Sequence, residues 1–146
     1  NKNDIEIYKK DLLSKENFHV QFITINNLPE KESLIISERI INEFESCAKN
    51  LTSYKENTNI VIEDNFDIKI SDLDEPFASL LEYKYDKFVL PIQSLKDHMT
   101  IIINCAPKQM LTDFEIENIL VSSQLEFLAD KELRNLRQDS IIEFKN

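Results

Sequence analysis

Apolar and polar positions follow two spacings along the 146-residue chain. His19-Val20-Gln21-Phe22-Ile23-Thr24-Ile25 alternates and is rich in β-branched residues, which predicts a strand. Asn26-Asn27-Leu28-Pro29 breaks it. Ile36, Ile40, Phe44, Cys47 and Leu51 then recur every three to four residues and predict one amphipathic helix over roughly residues 31–50. Residues 52–66 are polar around an apolar island, Ile60-Val61-Ile62, and Asp67-Ile68-Lys69-Ile70 alternates as a short strand. The stretch from Ser71 to Pro76 reads as a helix entry, and Phe77, Leu80 and Leu81 form the buried face of that helix. Phe88-Val89-Leu90-Pro91-Ile92 predicts a strand that Pro91 confines to an edge or an end. Met99-Thr100-Ile101-Ile102-Ile103-Asn104-Cys105 is the strongest strand, and its continuous apolar run suits a central, doubly covered position.

Pro107 ends that strand. Thr112-Asp113-Phe114-Glu115 forms a capping box, with Glu115 placed to reach back to the Thr112 amide. Ile116, Ile119, Leu120, Leu125, Leu128, Leu133 and Leu136 extend a long helix to about Arg137, and Ile141-Ile142-Glu143-Phe144 predicts a short terminal strand. Ile5, Tyr8 and Leu12 give a helical arm over the polar first 17 residues. The order of elements is α+β: a helical arm (1–17), a mixed domain (18–107), and a helix with a strand (108–146).

Composition narrows what such a fold can do. The 17 Lys and Arg against 27 Asp and Glu leave a formal charge of −10, which argues against binding nucleic acid or an anionic membrane surface. No stretch approaches the apolar length of a membrane span. The chain contains no glycine. Walker loops, dinucleotide fingerprints and nucleophile elbows all need glycine, so none is available here. A chain that opens Asn1-Lys2-Asn3, without Met, reads as a mature or excised piece.

Chemistry-bearing side chains are few. Cys47 and Cys105 read most simply as two packed core thiols, with a disulfide between helix and sheet as the other reading. No His or Asn motif marks Cys47 as a nucleophile. The carboxylates Glu63, Asp64, Asp67, Asp72, Asp74 and Glu75 lack EF-hand spacing and its glycine, so they read as a solvated face. No metal or cofactor is expected.

The element order up to Cys105 resembles the parvulin fold. Leu73 with Leu80-Leu81, then Phe88 to Ser94, then Met99 to Cys105, is similar to the back half of a parvulin domain. Leu125 to Glu143, above all Leu133-Arg134-Asn135-Leu136-Arg137-Gln138-Asp139-Ser140-Ile141-Ile142-Glu143, resembles the C-terminal end of SurA-like periplasmic chaperones, which close with a long helix and a short apolar strand. The resemblance implies a four-stranded sheet covered by helices, a periplasmic location, and unfolded or outer-membrane protein clients. It also implies that the C-terminal helix exposes an apolar stripe, open to self-association.

Two activities are implied: prolyl isomerisation and the holding of unfolded chains. Active parvulins carry a histidine on the first strand and another on the last. The matching positions here are Phe22 and Thr100. The glycine-rich turn before the middle strand is replaced by Glu63-Asp64-Asn65-Phe66. Phe77 and Leu81 retain the apolar half of a proline pocket, so Phe22, Phe77, Leu81 and Thr100 are the expected peptide contacts. His19 and His98 are the candidates for catalytic histidines if the alignment is displaced. Otherwise His98 reads as an exposed turn residue.

The resulting expectation is a peptide-binding domain that has lost isomerase activity. The alternatives are an active parvulin-type isomerase and an acidic, secretion-chaperone-like adaptor. Sheet order separates the last from the first, because a parvulin sets the Met99–Cys105 strand beside the Val20–Ile25 strand at the centre.

Overall fold

The computed structural model describes residues 2–145, with side chains to residue 136. Its elements are α1 (Lys2–Lys15), β1 (Phe18–Asn26), α2 (Glu30–Asn42), α3 (Cys47–Ser53), β2 (Ile60–Ile68), a 3-10 turn (Ile70–Asp72), α4 (Phe77–Tyr83), β3 (Gln93–Leu95), β4 (His98–Asn104) and α5 (Asp113–Lys145). The fold is α+β, with a four-stranded antiparallel sheet in the order β2-β1-β4-β3. Two compact units divide the chain: Lys10–Met110, and Asn1–Lys9 with Leu111–Asn146.

In the first unit β1 and β4 lie side by side at the centre, paired from Val20↔Asn104 to Asn26↔His98. Both faces of this pair are covered. Phe18, Val20 and Ile102 pack with Leu13, Ile70, Leu81 and Leu90 on one face. Ile23, Ile25, Ile101 and Ile103 pack with Ile40, Cys47 and Ile60 on the other. That is why β4 is apolar without alternation: Met99 through Asn104 are all buried. Burying each isoleucine of that run contributes about 2 kcal/mol.

Several local expectations are corrected. The helix expected over 31–50 is two helices. Phe44-Glu45-Ser46 interrupts it, and Ser46 caps α3 by accepting the Lys49 N–H at 3.1 Å. The Ser46 hydroxyl offers the backbone an alternative to helical continuation, and the restart turns Cys47 toward the sheet. The strand expected at 67–70 runs instead over Ile60–Ile68, and Ile70 opens the 3-10 turn that buries it. The strand expected at Phe88–Ile92 makes one bridge, Val89↔Ile103, because Pro91 has no N–H to donate; the edge strand forms afterwards, at Gln93–Leu95.

In the second unit α5 begins at the expected place, with only half of a capping box. The Glu115 N–H donates to Thr112 Oγ1 at 3.2 Å, but the Glu115 carboxylate accepts from the Thr112 hydroxyl rather than from its amide. The helix runs to Lys145, so the terminal strand expected at Ile141–Phe144 is helical. No proline or glycine interrupts this stretch, and a lone strand without a neighbour has nothing to pair with. At about 100° per residue, Phe114, Val121, Leu125, Leu128 and Leu136 fall within about 80° of one another. All five are exposed and form an apolar stripe along the helix.

With no glycine, left-handed backbone falls to Asn27 (φ 63°) and Asp67 (φ 55°), the residue types that tolerate it best. Asp67 sits at a β-bulge. Phe18 pairs with Ile68 and Val20 with Asn65, so β2 carries one residue more than β1 there. Replacing Asp67 with glycine is expected to stabilise the protein by up to about 1 kcal/mol, and Asp67→Val to cost about 2 kcal/mol, measured by urea unfolding.

Candidate functional site

A cleft of about 370 Å³ opens between the sheet and α4. Phe22 and Thr24 of β1, Thr100 and His98 of β4, and Glu63 and Asn65 of β2 share the sheet face that lines it. The segment entering α4 closes the other side with Asp72, Leu73, Asp74 and Phe77. This wall is fixed locally. Asp72 Oδ2 accepts the Lys69 N–H at 3.0 Å, and the Glu75 carboxylate accepts from the Ser79 hydroxyl at 2.6 Å in the first turn of α4. Phe22 meets Phe77 edge-on, with centroids 5.3 Å apart, and forms the apolar floor.

Three of the four expected peptide contacts therefore converge: Phe22, Phe77 and Thr100. Leu81 does not line the cleft. It is fully buried in the core behind Phe77, because one turn of α4 carries it inward. His98 is half-buried at the start of β4 rather than in an exposed turn, and it lines the cleft. It also borders a second cleft of about 310 Å³, rimmed by Glu30, Lys96 and Asp97.

His19 lies elsewhere. It sits seven residues before Asn26, the partner of His98, which offsets the two residues by about 24 Å of backbone along the strands. Its side chain is on the opposite sheet face. There His19 Nε2 donates to Asp64 Oδ1 at 2.7 Å, and Phe66, two residues on along β2, stacks on the imidazole with centroids 4.0 Å apart. The histidines do not form one site.

Cys47 and Cys105 are joined, with Cα atoms 5.8 Å apart, which corrects the expectation of two packed thiols. Helix α3 brings Cys47 over the end of β4, where the Cys105 N–H donates to His19 O at 2.8 Å. Buried Gln21 secures the same junction: its Nε2 donates to Cys47 O, and its Oε1 accepts from Asn50 Nδ2, each at 3.0 Å. The ligating atoms of His19, Asp64 and Cys105 lie within 4.8 Å of one another, but the Cys105 sulfur is committed to the disulfide and offers no thiolate to a metal. On this same face, burial and then Glu43 push the Tyr54 hydroxyl up from its ordinary pKa.

The carboxylate run read as one solvated face is divided by the fold. Asp64 turns to His19, whereas Glu63, Asp72 and Asp74 line the cleft. Sequence reasoning missed this because it placed the strand several residues late. The alternation Ile60, Ile62, Asp64, Phe66 was the available signal.

No protein-family model, no curated protein and no solved structure matches this chain. Among the described residues, no helix is long and apolar enough to cross a membrane.

Proposed function

We propose that the chain binds extended polypeptide segments in the cleft between the sheet and α4, as a parvulin-like and SurA-like module that does not turn over prolyl bonds. The observation that carries this reading is the convergence of Phe22, Phe77 and Thr100, three positions the resemblance assigns to peptide contact, on one cleft. The central pairing of β1 with β4 supports it over a secretion-chaperone-like adaptor, whose sheet is a meander. The helical end at Ile141–Phe144 differs from the strand of SurA-like chaperones, so the reading rests on the cleft and not on the tail.

Rotation about an X-Pro bond faces a barrier of about 18–20 kcal/mol. A catalyst must grip the ring and favour the twisted amide. The cleft supplies an apolar grip and one histidine, His98, but by the resemblance Phe22 and Thr100 take the positions of the parvulin histidine pair, and His19 is on the far face. The module holds a chain without twisting it. The clients are unfolded or outer-membrane proteins, and the disulfide suits an oxidising compartment such as the periplasm.

A protease-coupled assay on a proline-containing peptide is expected to show no acceleration over the uncatalysed rate. Fluorescence anisotropy is expected to show that the same peptide binds and that Phe77→Ala weakens it about tenfold. A clear rate that His98→Ala abolishes would make the chain an active isomerase.

A further inference from the structure

The rim of the cleft says more than its floor. Glu63, Asp72 and Asp74 are exposed around it, and no lysine or arginine is among the residues that line it. Among the described residues, none of the three is ion-paired, while Asp11, Glu16, Glu45 and Asp113 each meet a lysine. Glu63 comes from β2, and Asp72 and Asp74 come from the segment that leads into α4. The chain's charge of −10 adds a field of the same sign.

A second, independent feature points into the cleft. Thr100 is 3% exposed, lies opposite Thr24 across β1 and β4, and has no hydrogen-bond partner for its hydroxyl among the described residues. Thr24 and Thr100 both line the cleft, where their hydroxyls can meet the backbone of an extended chain.

Resting on the reading of the cleft as a peptide site, we infer that it selects an apolar residue, aromatic or proline, flanked by lysine or arginine. Phe22 and Phe77 take the apolar side chain. The threonine pair takes the peptide backbone. Glu63 of β2, with Asp72 and Asp74 before α4, takes the cationic flanks. Acidic and neutral flanks are discriminated against, because an acidic client would set like charges together at short range.

The test uses three labelled peptides with one Phe-Pro centre, flanked by Lys, by Gln or by Glu, with binding read by fluorescence anisotropy. The Lys-flanked peptide is expected to bind at least about tenfold more tightly than the Gln-flanked one at low salt, and the Glu-flanked one more weakly than either. Raising salt from about 0.05 M to about 1 M is expected to erase most of the difference, because screening shortens the reach of exposed charges. In the Glu63→Gln/Asp74→Gln variant the Lys-to-Gln ratio is expected to fall to about twofold, while Glu56→Gln, in the turn after α3, keeps the full ratio. Equal affinity for the Lys- and Gln-flanked peptides would overturn the charge selection and leave the peptide site standing. Failure of all three peptides to bind would overturn the site itself.

Discussion

Removing the Cys47–Cys105 bridge is expected to lower the free energy of unfolding by about 4 kcal/mol, the loop-closure entropy of a 58-residue separation. The bridge joins a helix after the first strand to the end of the last strand, so most of the sheet lies inside the loop it closes. Without it the unfolded chain regains that freedom, and α3 loses its covalent tie to the end of β4 while keeping the Gln21 hydrogen bonds that join it to β1. The double variant Cys47→Ala/Cys105→Ala, and the wild type with a dithiol reductant, are expected to show the same fall in melting temperature, on the order of 10 °C. Calorimetry with and without reductant measures it. No shift on reduction would mean that the two sulfurs are not joined. The cleft lies on the other face of the sheet, so peptide affinity of the still-folded variant is expected to stay near that of wild type.

Gln21→Leu is the second large effect, expected to cost about 3 kcal/mol. Gln21 is fully buried, and its amide satisfies two separate groups: the Cys47 carbonyl and the Asn50 side-chain amide. Leucine matches it roughly in volume, so packing changes little. What is lost is pairing, and each buried group left without a partner costs about 1–3 kcal/mol. The double variant Gln21→Leu/Asn50→Leu removes one orphan and is expected to recover part of the loss. A cycle of urea midpoints checks this. If the single variant is as stable as wild type, water reaches this junction and the polar pair is not a structural tie.

Physical causes separate the elements that were legible in the sequence from those that were hidden. Periodicity located β1, β4 and α5 because both faces of the central strand pair are covered and α5 has no breaker inside it. Periodicity misplaced β2. That strand has one covered face, carries acidic residues on both faces, and contains a bulge that shifts the alternation by one. The helix break at Ser46 was hidden because Ile36, Ile40, Phe44 and Cys47 keep their spacing straight across it.

For the site, the sequence by itself set its chemical limits. No glycine, two cysteines and two histidines exclude phosphate loops and metal clusters of cysteine type. Phe22, Phe77 and Thr100 were already identifiable as candidates. Only the tertiary structure decided which of the candidates meet. It set Phe22 and Thr100 on one sheet face with Phe77 over them, sent His19 to the other face, withdrew Leu81 into the core, and divided the acidic run between an imidazole and a cleft. The physical reason is the period of the strand. Neighbouring residues point to opposite faces, so one position of register, or one bulge, separates a residue in the cleft from a residue behind the sheet.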